Sequence, residues 1–212
     1  LPPEITLGFD TSAAHCAAAL LLPSGQVLLR HEEMDKGQAE RLMPLLAEVL
    51  AEAGLGWADV TRLGVGVGPG NFTGVRIAVS AARGLALGLG IPAIGVSRFD
   101  ALALGLPRPL AVVEDARRAE VYLQDFIPDP NPARLTDLAA LASEIGDLPL
   151  VGSAAQAASA LTGGAVLAAR YPLPEAIARI AASAPQGPRP APFYLRPADA
   201  ARPSDPPPVI LP

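Results

Sequence analysis

The run Gly64-Val65-Gly66-Val67-Gly68-Pro69-Gly70-Asn71-Phe72-Thr73-Gly74-Val75-Arg76 carries a buried-strand pattern through a glycine-rich turn straight into a helix. Backbone N–H groups and a helix N-terminus gather beside such a loop, and Gly68 and Gly70 allow close approach, so the loop can hold a phosphate. The same glycines serve a purely architectural turn, because they permit positive φ and close packing with no ligand. The run is not a Walker loop, which ends in Gly-Lys-Ser/Thr, nor a GxGxxG followed by an acidic residue on the next strand. A second polar cluster, Asp10-Thr11-Ser12, has the composition of an Asx-type turn between two apolar runs. Nucleophilic chemistry finds less support. His15 and Cys16 are neighbours, which on a strand point to opposite faces, and the apolar run after Cys16 predicts a buried, inert thiol. No GxSxG elbow is present, although sequence alone leaves a Ser–His–Asp arrangement open.

These groups need a scaffold, and a chain of 212 residues is long enough to bury a core as one large domain or two small lobes. Half of the residues are hydrophobic and 17% are charged, and glycines and charges interrupt every apolar run before about 18 residues, the length that would predict a membrane span. The first residues show no basic-then-apolar leader pattern. Cys16 is the one cysteine, so no internal disulfide can form; together these features predict a cytoplasmic protein that folds without a metal. A net charge of −5 argues against a broad nucleic-acid footprint, although a local arginine patch is compatible with it.

Ile5 to Phe9, Cys16 to Leu22 and Gln26 to Glu33 read as three strands of an antiparallel meander. A helix follows from Gln38 to Ala53, with Leu42, Met43, Leu46, Val49 and Leu50 spaced for one apolar face and Gly54 as its stop. Arg62 to Gly68 is a fourth strand; the helix after the glycine loop runs to Gly90, and Ala93 to Val96 is a fifth strand. Ser97 caps a short linking helix. After Pro107-Arg108-Pro109 the pattern restarts with strands Leu110 to Glu114 and Glu120 to Phe126 around the turn Asp115 to Arg118. The division expected is an α/β lobe over 1–100, a smaller α/β lobe over 101–198 and a proline-rich tail over 199–212.

Ile5 to Ser12, Gly37-Gln38-Ala39-Glu40-Arg41-Leu42-Met43-Pro44, Gly66 to Arg76, Gly84-Leu85-Ala86, Asp115-Ala116-Arg117-Arg118-Ala119-Glu120-Val121-Tyr122 and Tyr194-Leu195-Arg196-Pro197 occur in the order found in the TsaB (YeaZ) family. The chain resembles that family over nearly its whole length. The resemblance implies an ASKHA (actin-like ATPase, RNase-H-like) fold: two lobes with mixed sheets, the second reduced. It implies a part in making threonylcarbamoyladenosine on the tRNA adenosine beside the anticodon. In the family this protein is not the catalyst but the partner of the transferase TsaD, with the ATPase TsaE and its ATP in the same complex. It pairs with a second copy when alone, and tRNA contact comes mainly through the complex.

The resemblance places Asp10, Thr11 and Ser12 at the first phosphate turn of such a fold and Asp115 at the matching turn of the second lobe. With Gly68, Gly70, Arg117 and Arg118 these residues make a candidate nucleotide cleft, and an ATP-binding enzyme using Asp10 and Asp115 with Mg²⁺ is the alternative function. Against it, the Gly-Gly loop that would carry adenine is reduced to Gly152-Ser153-Ala154-Ala155, and Gly163-Gly164 suits a helix C-cap. The histidine pair that binds metal in TsaD has no counterpart at Gln38-Ala39-Glu40, so the expectation is no metal, no cofactor and no catalytic residue. Arg117, Arg118 and Glu120 either tie the lobes through ion pairs or line the cleft. The helix after the glycine loop is apolar nearly all round, with Ser80, Gly84 and Gly88 at four-residue spacing that suits close helix packing. In the family these two helices form the docking surface, which makes Met43, Leu46, Leu50, Ser80 and Gly84 candidate partner-interface residues.

Overall fold

The computed structural model describes residues 4–196. The proline-rich tail over 199–212, and Pro197 of the Tyr194 to Pro197 motif, lie outside the described residues.

Strands β1 (Thr6–Asp10), β2 (His15–Leu21) and β3 (Val27–Glu33) form the antiparallel meander. Helix α1 (Gln38–Glu52) follows, and a short 3₁₀ turn at Trp57–Asp59 leads to β4 (Arg62–Gly66). The glycine loop opens α2 (Phe72–Leu89), which Gly90 ends in the left-handed conformation before β5 (Ala93–Val96). β4 and β5 run parallel to β1, so the sheet is mixed, with the order β3-β2-β1-β4-β5. The linking helix α3 (Arg98–Ala103) starts at Ser97, whose Oγ accepts the Asp100 N–H at 3.0 Å.

The second sheet repeats this plan with one strand fewer. β6 (Leu110–Asp115), β7 (Glu120–Phe126) and β8 (Arg134–Asp137) are antiparallel, and β9 (Leu150–Val151) joins β6 in parallel, giving the order β8-β7-β6-β9. Short helices α4 (Leu141–Ile145) and α5 (Ala155–Thr162) pack on it. Gly163 ends α5 with a positive φ, as its C-cap reading requires. The expected mixed α/β architecture with a reduced second sheet is therefore present.

The period-two alternation of β1 divides the first sheet into two faces. Leu7 and Phe9 meet Leu42, Leu45, Leu46 and Val49 of α1 and Val75, Ala78 and Val79 of α2 in the largest core cluster. Gly8 points the other way, where α6 (Leu173–Ser183) lies so close that a Cβ would sit 2.6 Å from the Pro174 carbonyl oxygen. Gly64 of β4 meets Ala181 and Ile177 in the same manner. Arg62 closes the end of α6, its Nη1 donating to the carbonyls of Ala181 at 3.1 Å and Ala184 at 2.6 Å, where a cation also suits the helix dipole.

Two expectations are corrected. The stretch 101–198 does not belong wholly to the second lobe, because α6 crosses back to cover the first sheet; the reason is the side-chain-free strip that Gly8 and Gly64 leave for it. The expectation that no segment is long and apolar enough to span a membrane also fails, since α2 meets that test by length and composition alone. Arg76 and Arg83 interrupt its sequence but leave its mean hydropathy high enough to meet the test. In the structure its Val75, Ala78, Val79 and Ala82 face are buried on the first sheet and α1.

Candidate functional site

Both sheets send their first turns to one open cleft of about 750 Å³. Ser12 and Gly70 come from the first lobe, Glu114, Asp115, Arg117 and Ser153 from the second, and Arg98 from the crossing between them. Of the residues expected there, Ser12, Gly70, Asp115 and Arg117 line the cleft, whereas Asp10, Thr11, Gly68 and Arg118 are not part of its wall.

Asp10 is only 2% exposed and is held from within. Its Oδ1 accepts the Ser12 N–H and the Ser12 Oγ–H, each at 2.9 Å, and lies 2.7 Å from His15 Nε2. Its Oδ2 sits against Gly66, where an added Cβ would fall 1.9 Å from it. Burial pushes the Asp10 carboxyl up, but the His15 hydrogen bond, the positive charge of Arg98 and the Ser12 N–H outweigh it, and the group is held below the usual carboxylate range. A metal-positioning aspartate needs oxygens open to the cleft. The residues present do not fit Mg²⁺ between Asp10 and Asp115.

The glycine loop also uses its donors internally. Asn71 caps α2, its Oδ1 accepting from Thr73 N–H and Gly74 N–H at 3.0 Å each, and the Asn71 N–H donates to the Ser12 carbonyl at 2.6 Å. Gly74 lies against the Thr11 carbonyl, where a Cβ would come within 1.9 Å, and Thr11 Oγ1 donates to the Gly74 carbonyl at 2.7 Å. The loop is a close junction between α2 and the β1–β2 turn, and three N–H groups that could cradle a phosphate are spent. Gly68, at φ +100°, packs beside Phe193, and its carbonyl accepts the Arg98 N–H at 2.8 Å.

Across the cleft, the Asp115 turn is a strained hairpin. Arg117, Arg118 and Ala119 are consecutive residues with φ of 63°, 55° and 60°. Asp115 Oδ1 accepts the Arg117 N–H at 2.8 Å, and Ser153 Oγ accepts the Asp115 N–H at 2.9 Å. Glu120 pairs with Arg196, which brings the end of the described chain onto this hairpin. Beside it Tyr194 stacks on Phe72 with ring centres 4.9 Å apart, and its hydroxyl accepts from Arg76 Nε at 3.0 Å. Sequence reasoning missed Arg98 and Glu114, and it gave His15 no link to Asp10. Glu114 carried the one available signal, a carboxylate inside the apolar run Leu110-Ala111-Val112-Val113.

Neither Ser12 nor Cys16 is arranged as a peptidase nucleophile. Ser12 and His15 bond the same oxygen of Asp10, so the carboxylate stands between hydroxyl and imidazole rather than behind the imidazole. Cys16 is fully buried, and burial followed by the charge of Glu32 pushes its thiol up to about 11.

On the outer side, α1 and α2 expose a different surface. Met43 and Leu87 are 40% and 82% exposed, and Gly84 and Gly88 have open space above them. Ser80 is exposed on the same helix, and Ala39, Met43, Ile77, Ser80 and Ala81 line a groove between the two helices. Leu46 and Leu50, expected at this surface, instead point into the first core with Leu42 and Leu45. Periodicity finds the apolar face of α1, and the sheet takes that face for itself.

Residues 32–129 match the family model of TsaD, described as tRNA N6-adenosine threonylcarbamoyltransferase. The tRNA threonylcarbamoyladenosine biosynthesis protein TsaB of Escherichia coli is 37% identical over 131 residues, 59% of this chain and 56% of that protein. The protein of the same name from Bacillus subtilis is 33% identical over 141 residues, 59% of this chain and 60% of that protein. The solved structure of YeaZ from Pseudomonas aeruginosa aligns with TM-score 0.70 and 28% identity over 84% of this chain and 90% of that one. The chain is similar to TsaB (YeaZ) proteins in both sequence and fold. Another Pseudomonas aeruginosa structure, described as similar to peptidase YEAZ, aligns with TM-score 0.76 and 27% identity over 91% of this chain and all of that one. The sequence match spans little more than half the length of these TsaB relatives. The activator of 2-hydroxyisocaproyl-CoA dehydratase from Clostridium difficile has a similar fold, with TM-score 0.56 at 9% identity over 84% of this chain and 94% of that one.

Proposed function

We propose that this chain is a non-catalytic subunit in the formation of threonylcarbamoyladenosine on the tRNA adenosine beside the anticodon, acting by docking on and activating the transferase TsaD. The observation that carries the reading is the outer face of α1 and α2, where Met43, Ser80, Gly84 and Leu87 stay exposed although the chain has a full core beneath them. Small residues let a partner helix approach closely, and the large apolar side chains supply area to bury. A paralogous helix pair on TsaD fits that surface, and without TsaD a second copy takes its place. TsaE with ATP joins the same complex, and tRNA is held through the assembly.

The internal bonding of Asp10 and of the glycine loop supports an accessory role over the ATP-dependent enzyme. The decisive experiment is a reconstituted reaction containing the threonylcarbamoyl-adenylate-forming enzyme, TsaD, TsaE, ATP and tRNA, with this chain present or omitted. Product that requires the chain, together with full activity of Asp115→Ala, supports the accessory reading. Equal product without the chain refutes it. Tight Mg-dependent ATP binding by the chain alone, lost in Asp10→Ala, favours the enzyme.

A further inference from the structure

Glu114 is 6% exposed at the floor of the cleft, and both of its oxygens are engaged. Oε1 accepts the backbone N–H of Ser153 at 2.6 Å. Oε2 accepts from Nε of Arg98, whose Nη1 reaches Ser12 Oγ at 3.3 Å. Gly152, at φ +123°, brings the turn so near that a Cβ there would lie 2.8 Å from Glu114 Oε1. A backbone N–H on a glycine turn and a guanidinium converging on one pair of oxygens is the donor set that proteins use for phosphate and other oxyanions. Here the oxyanion is supplied by the chain itself.

We propose that the cleft contains an oxyanion site filled from within, with Glu114 as an internal ligand that excludes inorganic phosphate and phosphate-bearing molecules. The cleft wall carries Arg98, Arg117 and Arg196 against Asp35, Glu114 and Asp115, so removing Glu114 leaves the arginines in excess and a guanidinium and an N–H pointing at vacated space. The inference goes beyond the docking function and does not depend on it.

The test uses inorganic phosphate on the full chain, read by calorimetric titration and by melting temperature, with chloride at matched ionic strength as control. Glu114→Ala is expected to bind phosphate about 10- to 100-fold more tightly than the parent chain, the worth of one charge-assisted pair. Its melting temperature rises with phosphate and not with chloride. Adding Arg98→Ala removes the gain. Glu114→Gln keeps the shape and the acceptor for Ser153 while freeing the charge of Arg98, and shows a smaller gain in the same direction. If Glu114→Ala folds poorly, recovery of the fold in phosphate but not in chloride is the expected result. Phosphate binding by the parent chain as tight as by Glu114→Ala overturns the proposal, and so does the absence of any phosphate effect on both Glu114 variants.

Discussion

At the scale of single residues, the buried polar groups of the cleft floor behave as fixed parts of the protein. Asp10 has a folded-state pKa below its unfolded value of about 3.9, so it stabilises the fold above that pH and loses the contribution as pH falls through its folded pKa. Asp10→Asn should cost about 1–3 kcal/mol at neutral pH, because the His15 and Ser12 contacts lose their charge. The gap between the two proteins should close as the pH drops below about 4. Urea denaturation at a series of pH values measures both, and a gap independent of pH would disprove the assignment. The hairpin at Arg117, Arg118 and Ala119 gives a second expectation. A left-handed residue with a Cβ costs roughly 1–2 kcal/mol, and three stand in a row. Ala119→Gly should raise stability by about 1 kcal/mol, seen as a higher urea midpoint at unchanged slope.

At the scale of elements, glycines do opposite jobs in β1 and α2. Gly8 admits α6 to the sheet, so Gly8→Ala forces a methyl group into the Pro174 backbone and should cost more than about 2 kcal/mol. Gly84 has open space above it, and Gly84→Ala should instead stabilise α2 by up to about 1 kcal/mol through helix propensity. Thermal melts of the two variants should shift in opposite directions. Sequence patterning made the strands of both meanders and helices α1 and α2 legible, since alternation and three-to-four spacing are local signals. It gave no bounds for α6, which begins between Pro172 and Pro174 and whose docking strip is set by Gly8 and Gly64 more than a hundred residues earlier. The site divided along the same line. The Asp10 turn and the glycine loop were visible because turn chemistry is local, whereas Arg98, Glu114 and Ser153 meet only through the fold, the last two across a separation of 39 residues. Local pattern likewise could not tell which side of α1 the sheet would claim.

For the whole molecule, Arg98 at the start of α3 and Arg196 at the end of the described chain bond Glu114 and Glu120 of the second sheet, while α1 and α2 expose Met43, Ser80 and Leu87 on another surface. The cleft is open but the polar groups at its floor are bonded within the chain, and the proposed docking role rests on the outer helices. Leu46 and Gly84 separate that role from stability. Leu46→Ala empties a site in the main core and should cost about 2–5 kcal/mol, lowering the melting temperature while leaving the affinity of the folded chain for TsaD nearly unchanged. A Cβ at Gly84 meets no neighbour among the described residues, so the melting temperature of Gly84→Leu should hold while its branched side chain blocks close approach of a partner helix. Analytical ultracentrifugation should then show TsaD binding weakened at least about tenfold, a loss of about 1.4 kcal/mol. Product in the reconstituted reaction should fall with it and recover as Gly84→Leu is added in excess. If Gly84→Leu binds TsaD as well as the parent chain does, the docking surface lies elsewhere on the molecule.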